Sequence, residues 1–311
     1  MKTIVIGGAG FIGAVVSGAL LATGREVTIV GRRQSGEHRA VPGCSYCCAD
    51  LGNRAQMTEI LEAGCEVIDL AYATVPKTSF GDPLFDLQAN LPASVALLEE
   101  SLAAQVRRLL IVSSGGTVYG RSRSLPMDET HPTAPVSPYG ITKLTIDHYA
   151  LMFHHTGGLP VIVVRPANAY GVTQRARTGQ GFLAAAIDAI VSGRSIEIYG
   201  PEGTIRDYIH VDDVARGIIA ALECGQDGEI YNLGTGIGTS NLEALALLRP
   251  LARQAGRTVS VNHLPQRRFD VDANVLDSAK LIATSDWRPL VPLEQGLAQM
   301  WEHALRASCS V

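Results

Sequence analysis

The chain has 311 residues, 46% of them hydrophobic and 18% charged, with a formal net charge of −4. That length and composition suit one large α/β domain with a smaller appendage and exclude a disordered chain. Charges of both signs are mixed along the chain, which excludes the basic patch of a nucleic-acid binder; no run reaches the roughly 18 apolar residues of a membrane helix, and the cysteines are too few for a disulfide framework.

In chain order, Thr3–Ile6 reads as a first strand entering a turn, not as a leader peptide. Further short apolar runs follow at Val27–Val30, Ser45–Cys48, Val67–Ala71, Leu109–Ser113 and Val161–Arg165. Helical periodicity fills the gaps at Phe11–Thr23, Arg54–Ala63, Gln88–Gln105 and Tyr139–His155. Strands alternating with helices predict a Rossmann-type, doubly wound parallel sheet over residues 1–171, with all strand carboxyl ends on one edge. After Gly171 the rhythm changes. Short strands at Ile196–Tyr199 and Ile230–Leu233 interrupt helices at Gly181–Ser192, Val211–Glu223 and Leu242–Ala255. Residues 172–311 are expected to form mainly a smaller substrate-binding lobe, interleaved with the end of the sheet.

The first turn carries the clearest signal. Gly7, Gly10 and Gly13 stand between a strand and a helix, with Phe11 and Ile12 opening that helix. Such a turn brings backbone and a helix amino end against a pyrophosphate, so a dinucleotide site is expected there. After the second strand, an NAD site normally has an acid for the ribose 2′-hydroxyl. Here the chain reads Val30-Gly31-Arg32-Arg33. Guanidinium forks suit a 2′-phosphate, so Arg32 and Arg33 favour NADP over NAD. Asp50 and Leu51 are candidates for the adenine end. Leu70, Ala71, Tyr72 and Ala73 are expected to pass beneath the cofactor, with Leu70, Ala71 and Ala73 as its contacts and Asn90 on the following helix as a further one.

Tyr139 and Lys143 share a helix face, one turn apart. A nearby ammonium favours phenolate, making Tyr139 a usable base. Upstream, Ser113, Ser114 and Thr117 place hydroxyls at a strand's carboxyl end, on the same edge as the glycine turn. Cys44 and Cys47 have the spacing of half a metal site, but no second pair completes it, so reduced thiols around a strand are expected and no metal. That thiol usage suits a cytoplasmic location.

These segments together resemble the extended short-chain dehydrogenases of the nucleotide-sugar epimerase and dehydratase family. The resemblance rests on Gly7–Gly13, Ser113-Ser114 with Thr117–Gly120, Ser137–Gly140 with Lys143, Arg165–Gly171, Arg206–Asp213 and Tyr231–Gly234. It implies Tyr139 as acid/base, Lys143 as ribose anchor, and Pro166 beside the cofactor. The family usually carries a third catalytic hydroxyl two residues before the Thr117 position. Here Gly115 stands there, leaving Ser114, Thr117 or a water to supply the hydrogen bond. The family's 4,6-dehydratases carry an acidic pair in this loop; this chain has glycines, which argues against dehydration. On the substrate side the resemblance implies Asn168, Arg206 and Arg267 at the diphosphate of a UDP-sugar and Asp270 at the ribose. Tyr199 offers a face for the base. His210 with Asp212-Asp213 reads as the start of a helix, where acids suit the dipole. His154-His155 is expected on an exposed helix end. The resemblance also implies a homodimer through the helices Gln88–Gln105 and Tyr139–His155.

Three functions compete. One is a sugar-nucleotide 4-epimerase on a UDP-hexose or its N-acetyl form. Another is an NADPH-dependent 4-keto-sugar-nucleotide reductase, favoured by Arg32 and Arg33. The third is a non-catalytic NADP-binding regulator, which the Tyr139–Lys143 pair argues against.

Overall fold

A computed structural model describes residues 1–34, 41–174, 181–201, 203–265 and 271–309. Its main sheet takes β1 (Lys2–Ile6), β2 (Glu26–Gly31), β3 (Ser45–Cys48), β4 (Glu66–Asp69), β5 (Arg108–Val112), β6 (Val161–Pro166) and β10 (Ile230–Leu233). All seven are parallel, in the order β10-β6-β5-β4-β1-β2-β3.

The apolar runs explain the layering. In β1, Val5 faces one side while Ile4 and Ile6 face the other. The same alternation separates Leu110 and Val112 from Leu109 and Ile111 in β5, and Ile162 and Val164 from Val161 and Val163 in β6. A strand buried on both faces has no polar side to show, which is why these segments read as continuous apolar runs. One face is covered by α1 (Phe11–Ala22) packed beside α8 (Val211–Cys224). The other is covered by α2 (Arg54–Ile60), α4 (Pro83–Ala103) and α6 (Pro138–Gly157), with α4 against α6. Each fully buried Val, Leu or Ile contributes about 1.5–3 kcal/mol relative to exposure.

Several boundaries differ from the sequence reading for local reasons. The helix expected from Gln88 begins at Pro83, because Asp82 accepts from Phe85 N and proline needs no donor in the first turn. The helix expected to reach Ala63 stops at Ile60; Leu61 turns extended to bury its side chain, and Gly64 has φ +78°. The fourth strand ends at Asp69, leaving Leu70 and Ala71 in the loop beyond it.

The second half contributes α8 and β10 to the sheet and builds a lobe beside its carboxyl edge. Short helices α3 (Pro76–Ser79) and α5 (Gly115–Val118) lie on that edge. Three strands flank β9 (Ile205–His210): β7 (Asn168–Tyr170), β11 (Gly238–Ser240) and β13 (Ala273–Asn274). Two more, β8 (Ile196–Tyr199) and β12 (Val261–Leu264), pair with each other. The lobe core joins α7 (Phe182–Val191), α9 (Asn241–Gln254) and α11 (Leu293–Cys309). The short α10 (Ala279–Thr284) packs against α8 and β10.

Candidate active site

The sheet order reverses at β1, whose neighbours are β2 and β4, so the crevice at their carboxyl ends is the place for a ligand. A cleft of about 760 Å³ opens there. The glycine turn lies directly against the end of β4: a Cβ on Gly7, which has φ +78°, would stand 3.0 Å from Ala71 N. A Cβ on Gly13 would stand 2.7 Å from Gly8 Cα. The turn therefore holds the first helix tight on the strand. That helix has Gly10 at its N-cap and no side-chain cap, so its first N–H groups are left to the cleft. This cradle fits a dinucleotide pyrophosphate.

Among the expected cofactor contacts, Gly7, Gly10, Phe11, Ile12, Gly13, Leu70, Ser113 and Pro166 line the cleft. Ala71 and Ala73 lie in the same loop off its wall. Asn90, on α4, is also off the wall: its carbonyl accepts from Ala73 N at 2.7 Å and its amide donates to Asp86 O at 2.7 Å, so both ends are used within the protein. Arg32 and Arg33 are exposed just beyond β2, where Tyr46 OH donates to Arg33 O at 2.8 Å. Asp50 accepts from Gly52 N at 2.9 Å beside a shallow depression, and Leu51 packs toward the core.

Tyr139 sits in the first turn of α6. Ser137 caps that turn by accepting from Gly140 N, and Tyr139 N donates to Ser79 Oγ at 3.2 Å. The phenol is buried, which pushes its pKa above the usual tyrosine range; the Ser114 hydroxyl opposes this and Asp86 adds to it. Lys143 follows one turn on, with Nζ donating to Val112 O at 2.8 Å. Burial pushes its pKa down, while Asp69, Asp147 and Asp86 hold it up. The sequence reading had the ammonium tuning the phenol directly. The structure instead sets Lys143 against a carbonyl and three carboxylates, because its side chain turns under the strand end. Asp69 is itself buried, which pushes its carboxyl up to about 6.

The residues of this loop differ in the direction they face. A Cβ on Gly115 would point away from the cleft, 2.8 Å from Arg165 O and against Leu276. Ser114, Gly116 and Thr117 line the cleft instead. Thr117 Oγ1 and Asn168 Nδ2 are both buried on its wall with no hydrogen-bond partner.

Other motif residues build the frame. Asp147 binds Arg165 at 3.0 Å, Arg165 donates to Tyr119 OH at 3.1 Å, and Tyr119 donates to Asn232 Oδ1 at 2.7 Å. Asp207 accepts from the Thr235 hydroxyl at 2.6 Å and from Leu276 N at 3.2 Å. That fixes β9 and with it Arg206, which lines the cleft and donates to Val271 O at 2.8 Å. His210 caps α8, and Asp213 receives Leu290 N and Val291 N. Tyr199 lies off the cleft wall and donates to Glu197 at 2.8 Å. Arg267 and Asp270 lie outside the described residues. His155 is exposed, whereas His154 is half-buried with Nδ1 2.9 Å from Leu159 O. No group of three metal-ligating side chains occurs among the described residues. Sequence reasoning took Tyr72 only as part of the segment passing beneath the cofactor and missed Asp86 and the Thr74–Phe80 segment; only the position of that segment after β4 could have pointed to it.

A doubly wound sheet with a capless glycine turn and a buried Tyr-Lys pair at the same edge defines a nicotinamide-dinucleotide enzyme of the short-chain dehydrogenase type. More closely, the chain belongs to the NAD-dependent epimerase/dehydratase family, whose model matches residues 3–234. It is 33% identical over 310 residues to a UDP-glucose 4-epimerase of Mycolicibacterium smegmatis, covering 97% of this chain and 98% of the relative. A crystal structure of the UDP-glucose 4-epimerase of Thermotoga maritima with UDP-glucose superposes with TM-score 0.90 at 31% identity, covering 99% of this chain and 100% of that one. The Thermus thermophilus UDP-glucose 4-epimerase in complex with NAD gives 0.89 at 30% identity, with the same coverage.

Proposed function

We propose that the protein is a sugar-nucleotide 4-epimerase acting on a UDP-hexose or its N-acetyl form. The observation that carries this is the buried Tyr139–Lys143 pair facing Ser114 and Thr117 across one cleft, in a Ser113–Gly120 segment with no acidic residue to assist water loss. Relatives of nearly full length named UDP-glucose 4-epimerase support it.

When bound, the dinucleotide supplies a reversible hydride acceptor for the C4 hydrogen. Tyr139 takes the 4-hydroxyl proton and later returns it to the same oxygen. Ser114 hydrogen-bonds the phenol side of that exchange, and Lys143 anchors the cofactor ribose. Gly7, Gly10, Phe11, Ile12, Gly13, Leu70, Ser113 and Pro166 surround the dinucleotide. Thr117, Asn168 and Arg206 meet the sugar nucleotide, the first two with polar atoms that have no partner within the protein.

The cofactor is a nicotinamide dinucleotide, and Arg32 and Arg33 favour NADP. A side chain on Gly31 would meet Tyr46 OH at 2.9 Å, so the ribose 2′-hydroxyl finds no acid at that position. The same feature favours a second reading, a 4-keto-sugar-nucleotide reductase that consumes NADPH. The protein is also proposed to dimerise through α4 and α6, which expose Leu84, Phe85, Leu87, Ile141 and Met152, and to work in the cytoplasm. No helix among the described residues is long and apolar enough to cross a membrane.

Incubation with UDP-galactose, UDP-glucose and their N-acetyl forms, with NAD or NADP, tests this. Interconversion of C4 epimers without net change in reduced-nicotinamide absorbance is the expected result. NADPH consumption with a 4-keto sugar nucleotide, and no interconversion, would replace it with the reductase.

A further inference from the structure

Of the four residues Leu70–Ala73, the one that reaches the chemistry is Tyr72. Its ring lies edge-to-face with Tyr139, centroids 4.7 Å apart and planes at 66°. The Lys143 ammonium stands over its face, 4.2 Å from the centroid. Both contacts match the ring quadrupole, which is negative on the face and positive at the edge. Tyr72 is half-buried and lines the cleft.

The ring is held from α4. Its hydroxyl is 3.5 Å from Asp86 Oδ2, a long contact. Asp86 is fully buried and also receives the hydroxyls of Thr74 and, at 2.7 Å, of Thr142. Asn90, one turn along α4, clamps Ala73 N. One face of α4 therefore holds both the Tyr72–Thr74 segment and, through Thr142, the helix that carries Tyr139 and Lys143.

We propose that Tyr72 is a positioning residue of the reaction, an aromatic wall that seats the Lys143 ammonium on its face and the Tyr139 ring against its side. It acts through those two groups and not on the substrate. Lys143 needs such a wall because its surroundings are dry. Asp69 faces it from β4, Asp86 from α4 and Asp147 from its own helix, and Val112 O accepts a hydrogen bond from its Nζ. The Tyr72 face supplies a further surface favouring the charged form, on the cleft side.

The kinetic part of the test rests on the epimerase reading; the titration does not. The chain has four lysines, Lys2, Lys77, Lys143 and Lys280, so carbon-13 labelling at lysine Cε isolates the Lys143 titration by NMR, with Lys143→Arg assigning the signal. In Tyr72→Phe the midpoint is expected to stay with the parent, since the ring remains. In Tyr72→Leu it is expected to fall by about one pH unit. Epimerisation kcat falls about 10–100-fold in Tyr72→Leu with KM nearly unchanged, and its acidic limb moves to higher pH, while Tyr72→Phe retains activity. Tyr72→Met, of closer volume, serves if the leucine variant does not fold. Leu and Met variants that titrate and turn over like the parent would overturn the proposal. So would a Phe variant as damaged as Leu, which would assign the effect to the hydroxyl on Asp86. A parent inactive on every UDP-sugar would sink the epimerase reading alone, with the lysine titration still deciding Tyr72.

Discussion

The two walls of the cleft are built on different terms. On the sheet side, the buried charged groups find partners within the protein: Lys143 on Val112 O, Asp86 on Thr74 and Thr142, and Asp147 through Oδ2 on Arg165, while Ser113 Oγ and Asp147 Oδ1 have none. On the side of β7 and β9 the backbone is fixed by Asp207, yet Asn168 keeps an unpartnered amide facing the cleft. The unpartnered Thr117 hydroxyl joins it where the walls meet, and the open Cβ direction of Gly116 lies 3.6 Å from Asn168 Oδ1. A buried polar atom without a partner costs about 1–3 kcal/mol. The charges of the sheet wall are thus paired before any ligand arrives, whereas the Asn168 amide on the lobe wall is left for one. Substitutions on the first should act on kcat, and those on the second on substrate binding.

The largest effect expected is from Tyr139→Phe. It removes the acid/base while leaving the ring edge against Tyr72, so kcat should fall about 10²–10⁴-fold with KM little changed. A steady-state assay with UDP-galactose separates the two constants. A change in KM alone would put Tyr139 on the wrong side of the comparison.

Next is Gly115→Ser, which installs the hydroxyl where the family usually carries it. The added Cβ would press on Arg165 O and Leu276, behind the sheet wall and away from substrate. A loss of about 1–3 kcal/mol of stability with no gain in kcat is expected from urea unfolding and turnover together. A faster enzyme would show that the loop can turn that position into the cleft.

Asn168→Ala sharpens the other half. Its Nδ2 has no partner to lose within the protein, so the melting temperature should hold while KM for the sugar nucleotide rises about tenfold, roughly 1.4 kcal/mol. A large drop in melting temperature with unchanged KM would make Asn168 a structural residue.

How much of this was legible in the sequence follows the same division. Strands such as Val161–Arg165 announce themselves because burial on both faces demands continuous apolar residues. The lobe strands β7, β11 and β13 have two or three residues each, and β9 carries Arg206 and Asp207 within it, so no apolar pattern marked them. The glycine turn, Tyr139, Lys143, Ser114 and Arg206 were found through spacing and resemblance. Asp69 and Asp86 were not, because a buried carboxylate looks like a surface one until its partners are placed. Tyr72 was legible only as part of the segment beneath the cofactor, because an aromatic beside alanines has no periodicity to betray its contacts with Tyr139 and Lys143. Gly115 was read as a missing hydroxyl, although its Cβ direction leads into the core.

The smallest effect concerns Asp69, on the sheet wall. Burial raises its pKa from the ordinary 3.8 to about 6, with Lys143 and the Ala71 N–H pulling the other way. Between about pH 4 and 6 the folded chain holds a proton that the unfolded chain has released. Stability therefore falls as pH rises through that window, and the whole cost stands above it. Asp69→Asn can keep the hydrogen bond from Ala71 N, 3.0 Å long, and removes the buried charge. It should stabilise the protein at pH 7.5, a gain that shrinks as pH falls toward 4 and the parent carboxyl is protonated. The same substitution takes a carboxylate from Lys143, so kcat should drop while stability rises. Urea unfolding at pH 5 and 7.5 beside the rate assay checks both signs. A variant less stable at pH 7.5 would mean that the attraction between Asp69 and Lys143 exceeds the cost of burying the acid, and that the sheet wall is held together by its charges.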